Sequence, residues 1–275
     1  MQHRVYFKKI FFSKVRSAQI VFSSYLKKMN AQDFYDQKEM SIRTLYEGSK
    51  TRNSHNFIKA VLIQKFIQKK KRILDLGCGQ GGDLLKIKYA SPSLYVGIDV
   101  SPKAIACAQT RASKIKLNCR SHFLCSNFAT HDWEGYPPYD IINCQFAIQF
   151  AFKTELEANF TFEKISRFLV EDGFFIGTVP KHDAKTYDEV EVQLPDDDRT
   201  CKEYAVTAED LTAICKKYNL HVVLLENFSS FFEHAIGTND ALAKKMNACE
   251  TPDPSNLVFA FQKRTVYCCN SENEI

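Results

Sequence analysis

Apolar and polar positions along this chain predict strands that are followed by helices. Five short apolar runs predict buried strands: Ile73–Leu76, Leu94–Ile98, His122–Cys125, Tyr139–Cys144 and Phe174–Val179. Apolar residues at helical spacing occur before and between them, as at residues 56–68 and 155–169. Strands that alternate with helices in this way are typical of a parallel sheet covered on both faces.

The chain after residue 180 is predicted to complete the sheet. Asp183–Asp198 is acidic and is expected to be irregular, whereas Arg199–Val206 is expected to be extended. His221–Leu225 and Leu257–Phe261 predict the last two strands, with a short helix at Asn239–Asn247 between them. We therefore predict an α/β fold built on a seven-stranded sheet.

A glycine-rich turn follows the first predicted strand, with glycines at positions 77, 79, 81 and 82. Glycine lets the backbone approach a ligand closely because it has no Cβ. The G-x-G-x-G-G spacing is not that of a dinucleotide-binding loop, and by itself it also fits a tight turn between a strand and a helix. Asp75 is expected to fix the turn through backbone N–H groups, and Asp83 is expected to cap the following helix.

The second predicted strand ends in Asp99, which lies 24 residues beyond Asp75. An acidic residue at about this offset binds ribose hydroxyls. The turn lacks the Lys-Ser/Thr pair of a phosphate-binding loop. The sequence therefore predicts a ligand that has a ribose but no pyrophosphate, and the pattern resembles the adenosylmethionine site of class I methyltransferases.

Composition and charge narrow the possible functions. The 275 residues are 45% apolar, which is enough for a large core, but no run of 18 apolar residues predicts a membrane span. The ten cysteines include no C-x-x-C pair and no zinc-type spacing, as is typical of reduced thiols in an intracellular compartment, so neither a disulfide framework nor a metal site is predicted. The net charge of +5 permits an anionic partner but does not require one.

The first thirty residues differ from the rest, because they contain seven Lys or Arg, six Phe or Tyr and no acidic residue. This composition fits a basic arm that binds RNA, a targeting peptide or an ordinary amphipathic helix. We predict an N-terminal arm at residues 1–32, one main domain at residues 33–265 and a C-terminal tail at residues 266–275.

Five blocks of the sequence carry a more specific resemblance: Asn53–Ile63, Leu74–Lys86, Asn143–Phe152, Phe174–Pro180 and Val258–Lys263. Together they resemble one family, the mRNA cap guanine-N7 methyltransferases. The resemblance implies a class I methyltransferase fold, a mostly parallel, Rossmann-like sheet with an antiparallel last strand. It also implies methyl transfer from S-adenosyl-L-methionine to N7 of the guanosine cap of mRNA. A 5′-capped RNA, other capping enzymes as candidate partners, a nuclear location, no membrane partner and a monomeric state are further expectations.

The resemblance also implies the residues of the site. Its implied cofactor-binding residues are Lys59, Gly77, Asp99, Ser126, Asn127, Gln145 and Phe150. Its implied cap-binding residues are His55, Asn56, Gln80, Lys86, Arg111, Gln149, Glu203 and Asn256. Glu203 matches the acid that reads guanine, because a carboxylate accepts both the N1–H and the exocyclic amine. No acid–base catalyst is expected, since N7 already has an in-plane lone pair and loses no proton.

Three departures from the family pattern leave alternatives open. The family's His-Tyr pair is Gln149-Phe150 here, and a family Tyr aligns with Asn256. The segment between the fifth strand and Glu203 is also short. The chain could therefore be a class I methyltransferase with another substrate, or a catalytically idle subunit that binds RNA or activates a partner.

Overall fold

The computed structural model describes residues 50–133, 135–193 and 200–264. The predicted N-terminal arm and C-terminal tail lie outside the described residues, and so do residues 33–49 of the predicted main domain. No helix within the described ranges is long and apolar enough to cross a membrane.

The strands of the described residues form one large sheet and one small one. In chain order they are β1 (Arg72–Leu76), β2 (Leu94–Asp99), β3 (Arg120–Cys125), β4 (Tyr139–Gln145), β5 (Leu169–Pro180), β6 (Glu189–Gln193), β7 (Thr200–Tyr204), β8 (Leu220–Asn227) and β9 (Asn256–Lys263). The large sheet has the order β3-β2-β1-β4-β5-β9-β8, and β6 pairs with β7. In the large sheet β9 runs antiparallel to both of its neighbours, while β1 to β5 are mutually parallel. The predicted fold class is therefore confirmed, including the antiparallel last strand.

Helices cover both faces of this sheet. They are α1 (Lys50–Phe66), α2 (Leu84–Lys88), α3 (Pro102–Lys114), α4 (Glu155–Phe168), α5 (Ala208–Lys217), α6 (Phe228–Thr238) and α7 (Asp240–Lys245), with a 3₁₀ helix at Ile148–Lys153. The α1 and α6 helices pack on one face with alternate residues such as Ile73 and Ile141. The α4 and α5 helices pack on the opposite face with Leu74 and Ile142. The inner strands β1, β2, β4 and β9 are thus buried on both sides, which explains their nearly continuous apolar runs, whereas the edge strands β3 and β8 are partly exposed.

Three elements differ from the sequence prediction. The α1 helix begins six residues before the predicted start, because Ser54 is buried and its hydroxyl donates to the backbone carbonyl of Glu250 at 2.6 Å. The acidic segment that was expected to be irregular contains β6, which pairs with β7. The α6 helix was not predicted; it begins where the side chain of Asn227 accepts a hydrogen bond from the N–H of Ser230.

Candidate active site

The glycine turn lies at the carboxyl edge of the sheet, between β1 and α2. Gly77 has φ +67°, and a Cβ there would lie 2.3 Å from the Cβ of Ala147, which follows β4. Gly79 has φ +52°, yet a Cβ at Gly79 or Gly82 would meet no atom within 4 Å. The turn is therefore packed tightly against the protein at Gly77 and leaves open space beside its backbone at Gly79 and Gly82. An open backbone surface of this kind suits a bound ligand.

Asp99 joins this turn to the end of β2. One carboxylate oxygen accepts a hydrogen bond from the N–H of Gly79 at 2.8 Å, and the other accepts from the N–H of Ser101 at 2.9 Å. A carboxylate can accept about four hydrogen bonds, so these two bonds are compatible with a ribose contact. The N–H of Ser126 donates to the backbone carbonyl of Asp99 at 2.9 Å. The structure thus brings together Asp99 and Ser126, which were both predicted to bind the cofactor, and the exposed Asn127 follows them.

A buried polar network lies beneath the turn. Asp75 accepts hydrogen bonds from the Tyr95 hydroxyl at 2.8 Å and from the Asn143 amide at 2.7 Å. Gln145 donates to Asn143 at 2.8 Å and accepts from the Thr178 hydroxyl at 3.1 Å. Asp75 was predicted to bind backbone N–H groups of the turn, and that prediction is wrong, since its described partners are side chains. Burial raises the pKa of Asp75 to about 7.

Three charged side chains connect α1 to α2, and we call them the lysine–aspartate triad: Lys59, Asp83 and Lys86. Asp83 lies 3.1 Å from the ammonium of Lys59 and 2.6 Å from that of Lys86. It occupies the N-cap position of α2, as predicted, but its side chain makes no hydrogen bond to the helix N-terminus, so only its negative charge can stabilise that end of the helix. Burial alone would raise the pKa of Asp83, but the two lysines hold it well below its usual range.

The triad carries one net positive charge at the mouth of the site. Lys86 also donates to the side-chain oxygen of Asn56 at 3.2 Å, so two predicted cap-binding residues are in contact. Burial is the main reason that the pKa of Lys86 is lowered, and the positive charge of Arg111 contributes as well. Arg111 lies on α3, which packs on the turn, since a Cβ at Gly81 would lie 3.3 Å from the Cα of Ala108 in that helix. Gln80 is half-buried within the same turn.

An aromatic cluster borders the site on the other side of α1. The ring of His55 stacks on Phe146 with centroids 5.9 Å apart and meets Phe228 edge-on at 5.0 Å. Burial, followed by the charge of Lys59, lowers the pKa of His55 to about 4, so this ring is neutral at pH 7. Its Nε2 atom is buried and has no hydrogen-bond partner among the described residues. Phe146 has φ +55°, which is strained for a bulky residue and is common at functional sites.

Glu203 lies on β7, which packs against the 3₁₀ helix that contains Gln149. Glu203 is only 2% exposed, and its Oε2 atom has no hydrogen-bond partner within the described structure. Gln149 is fully buried and donates to the backbone carbonyl of Phe146 at 3.1 Å, which leaves its own side-chain oxygen unsatisfied. Unsatisfied buried polar atoms are rare in proteins and need an explanation.

His182 is a neighbour of Glu203 that the sequence analysis missed. The Nε2 atom of His182 lies 3.7 Å from Oε2 of Glu203, and it too is buried without a hydrogen-bond partner in the described ranges. Asn256 lies close to this position, since it pairs with Pro180 at the edge where β5 ends and β9 begins. No sequence pattern marks His182, because it follows β5 in a segment that has no periodicity.

Phe150 is placed differently from the other predicted residues. It is half-buried and packs against the apolar core between the sheet and α4. The structure therefore shows a packing role for its ring. A role of Phe150 in cofactor binding stays a prediction.

The sequence of this chain matches the model of a known protein family. Residues 13–193 match the family described as the mRNA (guanine-N(7))-methyltransferase domain, which is 181 of the 275 residues. This chain belongs to that family. The family resemblance noted in the sequence is thereby confirmed. Glu203 lies beyond the matched residues.

Curated relatives carry the same name. A protein of Cryptococcus neoformans var. neoformans serotype D, named mRNA cap guanine-N(7) methyltransferase, is 36% identical over 155 residues, which are 52% of this chain and 21% of that protein. The mRNA cap guanine-N(7) methyltransferase 1 of Arabidopsis thaliana is 36% identical over 138 residues, which are 46% of this chain and 37% of that protein. The match thus spans well under half the length of each relative.

Solved structures show the same fold as this member of the cap methyltransferase family. A putative S-adenosylmethionine-dependent methyltransferase from Listeria monocytogenes has a TM-score of 0.57 at 14% identity and covers 80% of this chain and 100% of that one. The CcbJ methyltransferase from Streptomyces caelestis has a TM-score of 0.56 at 13% identity, with coverage of 86% and 97%. At these identities the likeness establishes the fold alone.

Proposed function

We propose that this chain transfers the methyl group of S-adenosylmethionine to N7 of the guanosine cap of mRNA. One observation carries the proposal beyond family membership. Oε2 of Glu203 is buried without a hydrogen-bond partner among the described residues, and its strand packs against the 3₁₀ helix that follows Ala147, the residue packed on Gly77 of the open turn. A charged acceptor of this kind is suited to the two adjacent N–H donors of guanine.

The residues present fit the proposed cofactor. The backbone at Gly79 and Gly82 faces open space that a Cβ would enter. Asp99 would hold the ribose, with Ser126 and Asn127 beside the adenine. Lys59 belongs to a triad with one net positive charge, which suits the carboxylate of an amino acid. When bound, S-adenosylmethionine supplies an electrophilic methyl group.

The remaining task of the protein is to place guanine in line with that methyl group. Guanine N7 loses no proton on methylation, so no side chain has to act as a base. Holding two reactants in the correct geometry can contribute roughly 7–11 kcal/mol to lowering the barrier. On this proposal Glu203 fixes the base, Gln149 and Asn256 border it, and Gln80, Lys86 and Arg111 face the triphosphate of the cap.

The direct test is to incubate the chain with guanosine-capped RNA and labelled cofactor. We expect label on the cap and none on uncapped RNA with a 5′-triphosphate. Asp99→Ala should abolish binding of S-adenosylhomocysteine, whereas Glu203→Ala should spare that binding and lose methyl transfer. Equal loss of cofactor binding in both variants would contradict the division of the site.

The same experiment separates the alternatives. A chain that binds S-adenosylhomocysteine but never labels the cap would be a methyltransferase for another substrate. A chain that binds capped RNA without the cofactor would be an idle subunit. The position of Glu203 favours cap methylation over both.

Several further properties belong to the same proposal. From membership of this family we propose a nuclear location, with other capping enzymes as candidate partners. It is expected to work as a monomer. Light scattering at micromolar concentration checks the monomeric state, and a tagged chain viewed by microscopy checks the location.

A further inference from the structure

His182 and Glu203 form an unusual pair of buried polar groups. Their nearest polar atoms, Nε2 and Oε2, lie 3.7 Å apart, which is too long for a hydrogen bond. Neither atom has another partner among the described residues. Only 3% of the Glu203 side chain and 16% of the His182 side chain is exposed. In the tautomer that carries the proton on Nε2, a buried donor and a buried acceptor therefore stand side by side, and neither satisfies the other.

This arrangement matches one edge of a purine. The pairing edge of guanine carries the exocyclic amine, the N1–H and the O6 oxygen in that order. A carboxylate can accept from the two donors but cannot satisfy O6. A ring N–H of histidine is a donor, and here it stands next to the acceptor that would take N1–H.

We propose that His182 is a specificity-determining residue that donates from Nε2 to O6 of the guanine held by Glu203. The proposal rests on the proposed function and adds a second contact to its substrate site. Together the two side chains satisfy the whole pairing edge of guanine. Both side chains disfavour adenine. It presents an amine to His182 where guanine has O6, and an unprotonated N1 to Glu203 where guanine has N1–H.

The surrounding structure leaves open space beside His182. This residue lines a cleft of about 550 Å³ together with Lys181, Lys185, Thr207 and Leu257. We expect the base to approach from this cleft, since the side chain of His182 is 16% exposed and that of Glu203 only 3%.

The experiment compares caps that differ in one atom. Caps are prepared with guanosine, with 6-thioguanosine, whose sulfur is a weak acceptor, and with inosine, which lacks the exocyclic amine. For the wild-type chain we expect kcat/KM to fall about tenfold from the guanosine to the 6-thioguanosine cap, as for loss of one hydrogen bond. His182→Ala should lower kcat/KM for the guanosine cap by a similar factor and erase the 6-thioguanosine discrimination.

Two controls separate substrate reading from a general structural effect. His182→Ala should keep the discrimination against the inosine cap, because that depends on Glu203, and His182→Gln should restore part of the O6 discrimination through its amide N–H. His234→Gln changes a histidine whose side chain is 75% exposed and should leave all ratios unchanged.

The outcomes distinguish this assignment from the proposed function. If the wild-type chain methylates no guanosine cap, the proposed function fails and the role of His182 fails with it. If the wild-type chain methylates the guanosine cap and His182→Ala keeps the full discrimination against 6-thioguanosine, only the role of His182 is overturned. Loss of both discriminations together in His182→Ala, against 6-thioguanosine and against inosine, would also overturn it, since that pattern indicates a collapsed site.

Discussion

Replacing Asp83 by Asn should destabilise the protein far more than an equivalent change at another paired aspartate. In the lysine–aspartate triad Asp83 contacts Lys59 at 3.1 Å and Lys86 at 2.6 Å. The three side chains are only 15%, 13% and 12% exposed in the order Lys59, Asp83 and Lys86. The Asp83→Asn variant leaves two buried ammonium groups that repel each other and have lost their only charged partner in the triad.

The size of the effect follows from this burial. Removing one partner of a buried ion pair costs about 3–5 kcal/mol, because the remaining charge stays desolvated. Asp140 provides a matched control, since it also bridges two cations, Lys71 at 3.3 Å and Arg72 at 3.1 Å. Those two cations are 38% and 34% exposed, so water screens them and we expect Asp140→Asn to cost only about 1 kcal/mol.

Urea unfolding at pH 7 measures both variants. The protein has one tryptophan, Trp133, which is 1% exposed, so its fluorescence reports loss of the core, and circular dichroism checks that both signals change together. Adding Lys86→Met to Asp83→Asn should restore part of the stability, because it removes one of the two repelling charges. A loss for Asp83→Asn no larger than that for Asp140→Asn would refute the reasoning, and so would a double variant that is less stable than the single one.

Three further changes test other parts of the site. Gly77→Ala should lower the free energy of unfolding in urea by about 2 kcal/mol or more, because alanine at positive φ costs about 1–2 kcal/mol and its Cβ would also clash with Ala147. Gly82→Ala, whose Cβ would meet no atom within 4 Å, should change it by no more than about 0.5 kcal/mol. Folding raises the pKa of Asp75 from 3.8 to about 7, so the folded state binds the proton more tightly than the unfolded state does. The free energy of unfolding should therefore fall by up to about 4 kcal/mol as the pH rises from 4 to 7. Thermal melts of Asp75→Asn should lack this pH dependence. Thr178→Val leaves a buried amide oxygen unsatisfied and should cost about 1–3 kcal/mol by the same urea assay, with little change in cofactor affinity.

Most of the fold was predictable because strand burial leaves a strong signal. Each strand from β1 to β5 appears as a short apolar run, and the turn glycines mark where β1 ends. Two elements escaped prediction for different reasons. The α6 helix begins with Phe-Ser-Ser-Phe-Phe, where aromatic residues favour a strand, and its start is marked by the Asn227 cap. The β6 strand alternates Glu and Val, which is a strand pattern, but its acidic residues led to the prediction of an irregular segment; it pairs with β7.

The backbone arrangement of the site could be predicted from the sequence, but the hydrogen-bond and ion-pair partners of its side chains could not. Asp99 and the glycine turn lie together as expected, because parallel strands end at one edge. The hydrogen bonds of Asp75 were predicted wrongly, because its carboxylate meets the side chains of Tyr95 and Asn143 and not the backbone of the turn. Asp83 lies at the predicted N-cap position, but its ion pairs with Lys59 and Lys86 were not predicted. His182 could not be found from sequence because only folding brings it beside Glu203.

The two halves of the site differ in how well their polar groups are satisfied, and this difference has a consequence for binding. On the cofactor side, Asp75, Gln145 and Asp99 hydrogen-bond to the protein itself. On the proposed guanine side, Gln149, His182 and Glu203 each have one buried polar atom without a hydrogen-bond partner among the described residues. His55, whose ring stacks on Phe146, has another such atom. Each such atom costs about 1–3 kcal/mol while it lacks a partner. A base that supplies the missing partners therefore recovers this free energy on binding, and one that cannot supply them leaves the cost in place. Selectivity for guanine would then come from polar groups that the fold leaves unpaired. On the cofactor side, by contrast, hydrogen bonds within the protein fix the polar side chains before a ligand binds.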